Sequence, residues 1–310
     1  MLLPILIWPF IEPNSANHCE ALIEFFSTLK DDRVAIPTIV VHQRARRWLR
    51  NQHLRNFEIM EKLHWNVRWV WSVETCQTWL DALATSHTNC NRYNHSIRQR
   101  ALKKPTPHES RCVHLLVPAD FRYADPAGIP ALRQMVQQVD VMADPRIDLS
   151  VGQIQSGTND FKELVDTQGT WKLLKLWFPE ESTILARKRI TKPRSEFLAL
   201  SGRFLESQLE ERWLPYSQTL IMLLRSLHKG ATEAINVFEL GPLTEDAPQD
   251  PYAEYVTQVE REERVLKLYW REHMGKSTLW AEQYQTLAQK SQKLVSDLLA
   301  QSRSLFLKSH

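Results

Sequence analysis

The first half of the chain alternates short apolar segments with longer amphipathic ones. Apolar runs rich in β-branched residues predict strands at residues 2–8, 36–42, 67–73 and 113–117. The amphipathic segments predict helices at residues 14–30, 44–63, 74–86 and 128–139. Short apolar strands separated by helices are typical of βαβ units, so we expect an α/β fold whose mainly parallel sheet is flanked by helices.

The second half of the chain has a less regular pattern that ends in two long helices. Residues 148–179 are weakly patterned, residues 184–190 could be a strand, and residues 195–206 and 216–227 have helical periodicity. A further strand is predicted at residues 235–240, and helices at residues 252–272 and 277–307. We therefore expect a main domain over residues 1–250 and a C-terminal helical hairpin over residues 251–310. The hairpin could pack on the main domain or mediate a homo-oligomer.

Composition excludes several classes of protein. The 310 residues are 43% hydrophobic and 24% charged, which is ordinary for a globular protein and excludes a disordered chain. Only eight residues are glycine, and neither GxGxxG nor GxxxxGK[ST] occurs, so the two common glycine-rich phosphate loops are absent. A net charge of +3 does not by itself indicate nucleic acid binding.

The cysteines and the N-terminal segment bear on the compartment. Cys19, Cys76, Cys90 and Cys112 show no CxxC spacing, which favours isolated thiols in a reducing compartment over a structural zinc site. The apolar N-terminus is interrupted by two prolines and has no basic flank, so we interpret it as a buried first strand rather than a signal peptide or membrane span. These features predict a cytoplasmic protein with no transmembrane segment.

The segment with the most informative chemistry is HLLVPADFRYADPAGIP, residues 114–130. Its predicted strand delivers Asp120 to the carboxyl end of the sheet, where ligands of such sheets bind. A carboxylate there can hold a divalent metal that in turn binds a diphosphate. Alternatively, Asp120 caps a turn, and Asp125 and Pro126 only begin the following helix.

This segment resembles the metal-site region of family-2 glycosyltransferases of the GT-A fold, where a strand ends in D-A-D-L/F. The resemblance covers roughly residues 2–139, with a looser echo at 235–246, and is carried by Ala119, Asp120, Phe121, Pro126, Ile129 and Pro130. Pro118 stands where the family has its first carboxylate. The resemblance implies a GT-A-like, nucleotide-sugar-binding domain over residues 1–250 in which Asp120 binds Mn²⁺ or Mg²⁺.

Further candidate residues follow from the same resemblance. Thr244-Glu245-Asp246 is similar to the T-E-D element of processive members, which implies that Asp246, beside Glu245, is the general base for the acceptor hydroxyl. Glu12 after the first strand and His42 at the end of the second could contact the nucleotide, or be a turn residue and an ordinary surface histidine. The Q-x-x-R-W companion of T-E-D is missing.

Two clusters of basic residues could supply further cations. One lies on the predicted helix 44–63, and the other, at residues 187–194, ends at Arg194, which could contact a phosphate because arginine offers bidentate geometry to such groups. Either cluster could instead be a solvated face paired with acids. The polar residues 152–160 could form an acceptor loop or a plain connection.

The sequence thus predicts a glycosyltransferase that moves a sugar from a nucleotide-sugar donor to an unknown acceptor hydroxyl. The alternative is a non-catalytic binding or scaffold protein on a degenerate GT-A fold, which the proline at position 118 favours. A nucleic acid binder is the weakest hypothesis, because the acids nearly balance the basic residues.

Overall fold

The computed structural model describes residues 2–8, 15–29, 38–42, 66–70, 83–84, 86–88, 112–118, 121–155, 161–209, 218–245, 250–274 and 280–308. The chain divides into two compact units, and both are built from separated segments. The first unit comprises Met1–Gln155, Ser195–Pro215 and Ala231–Asp246. The second unit comprises Ser156–Arg194, Tyr216–Gly230 and Ala247–His310.

The first unit contains a sheet with seven strands among the described residues. In chain order they are β1 Leu2–Trp8, β2 Thr38–His42, β3 Asn66–Val70, β4 Val113–Pro118, β5 Leu149–Ile154, β6 Leu198–Ser201 and β7 Ile235–Gly241. Their spatial order is β3-β2-β1-β4-β6-β5-β7. The strand β6 runs antiparallel to β4 and β5, and the other neighbouring strands are parallel.

The described helices occur in both units. They are α1 Ser15–Thr28, α2 Gly128–Val141, α3 Phe161–Leu164, α4 Trp171–Trp177, α5 Pro179–Arg187, α6 Gly202–Leu209, α7 Gln218–His228, α8 Pro251–Met274 and α9 Trp280–Lys308. A π-helical turn, Val165–Thr170, joins α3 to α4, and a 3₁₀ turn, Thr232–Ala234, precedes β7.

The core of the first unit lies between its sheet and the helices α1 and α2. Apolar side chains recur on one face of each helix, as an amphipathic pattern predicts, and become buried there. The buried cluster includes Leu22 and Phe26 from α1, Leu132 and Met135 from α2, and Leu115 from β4. Every residue of β4 is buried, and all of them except His114 are apolar, as is typical of a strand covered on both faces.

The second unit is helical in its described part. Its buried aromatic centre is Trp177 on α4, whose indole ring lies 5.9 Å from that of Trp270 on α8 and 6.0 Å from the ring of Tyr284 on α9. The Trp177 Nε1 donates a hydrogen bond to the Ser291 Oγ on α9 at 3.1 Å. These contacts join the two long C-terminal helices to α4.

The predicted fold class is confirmed. The four strands predicted in the first half are neighbours in one parallel arrangement, β3-β2-β1-β4, and the C-terminal region is helical. Strand β1 has the predicted boundaries, and α2 begins at the predicted residue. Strand β2 begins two residues later than predicted, at Thr38. The helix predicted at residues 44–63 lies outside the described residues.

Two predictions in the second half are wrong. Residues 184–190 were expected to form a strand, but α5 covers most of them because Pro179 starts a helix whose first turn carries Glu180 and Glu181. The helix predicted at residues 195–206 begins only at Gly202, because the strand β6, Leu198–Ser201, precedes α6. Strand β6 has only four residues, of which Leu198, Ala199 and Leu200 are buried, and this is too short for a clear periodicity.

The two long C-terminal helices belong to the same compact unit as helices from the middle of the chain. Helices α8 and α9 group with residues 156–194 and 216–230, a body larger than a C-terminal hairpin. The boundary at residue 250 itself stays a prediction.

Two further findings concern Cys112 and the described helices. Cys112 is disulfide-bonded, so the expectation of isolated thiols is wrong for this residue. No helix in the described ranges is both long and apolar enough to cross a membrane.

Candidate active site

The loop that follows β4 is closed by hydrogen bonds at both ends. The Tyr123 hydroxyl donates to the carbonyl oxygen of Pro118, the last residue of β4, and Tyr123 is fully buried. The Tyr123 N–H donates to the Phe121 carbonyl at 2.9 Å. Tyr123 therefore links the end of β4 to the segment that begins at Phe121.

The end of this loop packs tightly against the start of α2. Gly128 is the first residue of that helix, and its N–H donates to the Asp125 carbonyl at 2.8 Å. A Cβ at position 128 would lie 2.0 Å from the backbone oxygen of Tyr123, so only glycine fits there. The alternative that Asp125 caps the helix with its side chain is not what the structure shows, because Ala127 occupies the N-cap without a side-chain bond.

The loop pairs with the segment that follows β7. Phe121 and Glu245 form an antiparallel bridge, and the Arg122 N–H donates to the Thr244 carbonyl at 2.9 Å. Phe121 is held on the other side by an edge-to-face contact with Phe197, at 4.8 Å between ring centres. The structure thus brings together two segments that the sequence singled out separately, the D-A-D-like segment and the T-E-D segment.

The predicted site residues are described to different extents. Asp120, Asp246 and Glu12 lie outside the described residues. Glu245 is half-buried beside Phe121. His42 is the last residue of β2, which lies next to β1 in the parallel part of the sheet. Its backbone therefore lies at the carboxyl end of a parallel strand, as expected.

Arg194 belongs to the second unit, where it is paired internally. Its Nε lies 3.1 Å from the Glu262 Oε1, and its Nη2 donates to the Gln258 Oε1 at 2.9 Å. Glu262 is almost fully buried, and Arg194 is 13% exposed. The pair compensates a buried carboxylate, which is a structural role that the sequence alone did not indicate.

Arg187 is the last residue of α5, and the three residues after it close the C-terminal end of that helix. The N–H groups of Lys188, Arg189 and Ile190 donate back to carbonyls in the last turn of that helix. Arg189 adopts a left-handed conformation, with φ of 62°, as is common at the C-terminal end of a helix.

A metal at this site would depend on residues beyond the described ones. Within the described part of the chain, no three His, Cys, Asp or Glu side chains approach closely enough to hold a metal ion. The potential metal ligands of the two paired segments are carboxylates. Glu245 lies within the described residues, and Asp120 and Asp246 are the next residues in sequence to Phe121 and Glu245. Carboxylate oxygens are the ligands that Mg²⁺ and Mn²⁺ prefer, often one or two of them together with substrate phosphates.

Sequence reasoning did not identify Tyr123 or Gly128 as part of this site. Both matter through close contacts with backbone atoms, and a single sequence carries no signal of those contacts. The only available hint was their position, shortly after the D-A-D-like segment and at the predicted start of a helix.

The chain has similarity to known proteins in structure but not in sequence. No family model matches the sequence, and no curated protein is significantly similar to it. The fold is similar to that of glucosyl-3-phosphoglycerate synthase from Mycobacterium tuberculosis crystallised with uridine diphosphate, with a TM-score of 0.57 and 13% identity over 87% of this chain and 79% of that one. The crystal structure of that enzyme with Mn²⁺, UDP-glucose and phosphoglyceric acid has a TM-score of 0.56 and 14% identity, with the same coverage.

The fold is that of GT-A glycosyltransferases. At this level of identity the similarity establishes the architecture, including the parallel strands whose carboxyl ends lead into the candidate site.

Proposed function

We propose that this protein transfers a glycosyl unit from a nucleotide-sugar donor to an acceptor hydroxyl. The observation that carries the proposal is the pairing of residues 121–122 with residues 244–245. Asp120 directly precedes Phe121 in the chain, and Asp246 directly follows Glu245. Because consecutive Cα atoms are about 3.8 Å apart, each aspartate is within one residue of this bridge. The family resemblance gives one of them a metal-binding role and the other a base role.

Asp120 and Asp246 have different roles in the proposed transfer reaction. The acceptor oxygen forms a bond to the anomeric carbon while the bond from that carbon to the donor diphosphate breaks, and the acceptor proton passes to the Asp246 carboxylate. Asp120 would hold Mn²⁺ or Mg²⁺, and such a cation, when bound, offsets the charge on the departing diphosphate. Inversion at the anomeric carbon is what the resemblance to family-2 enzymes implies.

The remaining residues have binding roles in this proposal. Glu12 and His42 follow or end neighbouring parallel strands and would contact the nucleotide. Arg194 comes last among the phosphate candidates, because Glu262 already balances its charge. Cytoplasmic location and a homo-oligomer through the C-terminal helices stay predictions.

The proposal is tested first by ligand-induced stabilisation. The melting temperature is measured with UDP, GDP and UDP-glucose, each with and without Mn²⁺, because the similar structures hold UDP, UDP-glucose and Mn²⁺. Transfer from UDP-glucose is then assayed with phosphoglyceric acid, with which the similar enzyme was crystallised, and with other hydroxyl acceptors. We expect a nucleoside diphosphate to raise the melting temperature only when Mn²⁺ is present.

Asp120→Asn keeps the shape of the side chain and removes its charge. We expect the Mn²⁺ dependence of binding to disappear and transfer to fall by at least ~100-fold, the scale on which removing one stabilising group acts. Asp125→Asn is the matched control, since Asp125 is an exposed carboxylate on the same loop. Equal binding and turnover by parent and Asp120→Asn would exclude Asp120 as a metal ligand.

A non-catalytic binding protein is the second candidate function. Pro118 stands at the end of β4 in place of the family's first carboxylate, and its carbonyl is engaged by Tyr123. Mn²⁺-dependent nucleotide binding without transfer to any acceptor would favour this candidate.

A further inference from the structure

The ring of His228, the last residue of α7, contacts side chains from two other helices of the second unit. Its Nε2 lies 2.7 Å from the Glu181 Oε1 on α5, and its Nδ1 lies 3.0 Å from the Tyr269 hydroxyl on α8. The ring of His273, also on α8, stacks on the His228 ring with 3.6 Å between the ring centres and 10° between their planes. The C-terminal end of α8 is thus joined to α7 by a hydrogen bond and a ring stack.

The two hydrogen bonds of His228 persist whether its ring is neutral or charged. An ionised carboxylate only accepts hydrogen bonds, so the His228 Nε2 carries a hydrogen atom in both states. In the neutral ring the Tyr269 hydroxyl donates to Nδ1, and in the charged ring the Nδ1–H donates to the same hydroxyl oxygen. The Glu181 carboxylate balances one positive charge. This group of side chains can therefore hold one added proton in place.

A second proton, on His273, meets a different environment. The His273 ring lies face to face with the His228 ring, so its positive charge would face another positive charge across the stack. Partial burial and the charge of His228 lower the pKa of His273, whereas Glu181 acts in the opposite direction. The remaining charged residues next to the two histidines in sequence are exposed to solvent, where salt screens them: Lys229, Arg271 and Glu272.

We infer that His273 is an acid-sensitive latch, which holds the last turn of α8, residues 271–274, on α7 and releases that turn when it takes up a proton. Tyr269 and Trp270, just before this turn, are each only 4% exposed and anchor the helix in the core, so the release is local. The inference does not depend on the proposed function.

The direction of the pH effect follows from the two states of His273. In the released state the ring is surrounded by water and has its ordinary pKa of 6.5, whereas in the stacked state its pKa is lower. The released state therefore binds more protons, and its population rises as the pH falls below 6.5.

The test compares the full-length parent with His273→Phe, which keeps a flat ring on His228 but cannot take up a proton. The His273 ring is followed by NMR of ¹³C-histidine-labelled protein, and the last turn of α8 by amide hydrogen exchange, between about pH 8 and 5. After correction for the intrinsic pH dependence of exchange, we expect opening of residues 271–274 in the parent to rise by up to about tenfold per pH unit below 6.5. In His273→Phe it should not depend on pH.

Two controls separate the latch from a general effect of acid. His87→Gln removes a partly exposed histidine of the first unit and should keep the acid-induced opening of the parent. Residues 255–266, in the middle of α8, are the internal reference, because global unfolding increases exchange in both segments and release of the latch only in residues 271–274.

Each outcome decides for or against the latch. The same pH dependence of opening in the parent and in His273→Phe overturns the inference, as does an equal acid-induced opening of residues 255–266. The titration of the parent is a test that needs no variant. A midpoint for His273 clearly below 6.5 supports the inference, and a midpoint at 6.5 overturns it, because His273 would then take up its proton without resistance from the stack.

Discussion

At the scale of single residues, His114 is a buried base with a strongly shifted titration. It lies on β4, its Nδ1 is 2.6 Å from the Ser86 Oγ, and its Nε2 has no hydrogen-bond partner within the described structure. Burial lowers the pKa of His114 to about 3, and the nearby charge of His87 contributes in the same direction. The imidazole is therefore neutral in the folded protein at any ordinary pH.

This shift makes stability depend on pH in a defined window. In the unfolded chain His114 takes up a proton below its ordinary pKa of 6.5, whereas in the folded protein it does not. The unfolded state binds more protons, so the free energy of unfolding falls as the pH decreases from about 6.5 toward 3, by roughly 3–5 kcal/mol from this group. Urea denaturation at several pH values measures that slope.

His114→Gln keeps an amide that can bond Ser86 but removes the titration. We expect its unfolding free energy to vary clearly less between pH 6.5 and 3 than that of the parent, with the remaining slope coming from the carboxylates. His87→Gln is the control and should retain most of the parent's slope. Identical slopes for the parent and His114→Gln would contradict the assignment.

The residues of the candidate site differ in how far sequence could predict them. Asp120 and Asp246 were singled out from short motifs beside strand ends, and their roles stay predictions. The pairing of Arg194 with Glu262 could not be predicted, since it joins residues far apart in sequence whose meeting depends on how the helices pack. The hydrogen bond from the Tyr123 hydroxyl to the Pro118 carbonyl likewise leaves no pattern in the sequence.

At the scale of secondary structure, strands buried on both faces were predictable where their sequences are uniformly apolar. This holds for β4, apart from His114, but not for β5, which carries Ser150, Gly152 and Gln153 inside the sheet. Ser150 is satisfied there by the Gln138 side chain at 2.8 Å. Gly152 is needed because a Cβ would lie 2.7 Å from Leu240 and 2.8 Å from Phe197. A polar strand of this kind looks like a loop until its partners are known.

The π-helical turn before α4 gives a prediction about helix packing. Gly169 faces α8, and a Cβ at this position would lie 2.8 Å from the Val259 Cγ2. Valine is stiff and Val259 is fully buried, so the contact cannot be relieved by a rotamer change alone. We expect Gly169→Ala to lower the free energy of unfolding by about 1–3 kcal/mol, as overpacking usually does.

A double-mutant cycle identifies the cause. Val259→Ala alone should destabilise by leaving a cavity, but combined with Gly169→Ala it should remove the clash, so the double variant is less destabilised than the sum by at least about 0.5 kcal/mol. Gly202→Ala is the control, since its Cβ would meet nothing closer than 3.4 Å. Additive losses in urea denaturation would mean that the α8 contact is not responsible.

At the scale of the whole molecule, the C-terminal helices form part of the core of the second unit. Tyr255, Val259, Leu266 and Trp270 on α8 are buried, and Ser291 and Leu298 on α9 are buried as well. Periodicity predicted the two helices but not their role, because an amphipathic stripe does not identify the surface that covers it. Here the stripe meets α4 around Trp177.

Deleting residues 251–310 should therefore disrupt the second unit. The loss exposes Trp177, Leu173 and Leu174, which are now almost completely buried. We expect a red shift of tryptophan emission, binding of a hydrophobic dye and lower solubility, the signs of an exposed apolar core. Fluorescence and size-exclusion chromatography of the truncated protein measure these changes.

A shorter truncation is the control, because it removes only the end of the chain and leaves the core of the second unit in place. Removing residues 307–310 takes away Leu307, which is 71% exposed, and leaves Phe306 in contact with Tyr252 and Tyr255. That variant should keep the emission spectrum and melting temperature of the parent. If the 251–310 deletion also keeps both, the first 250 residues form a domain that folds alone, and the predicted boundary at residue 250 is correct. If only the longer deletion disrupts the protein, α8 and α9 complete a unit whose other helices come from residues 156–194 and 216–230.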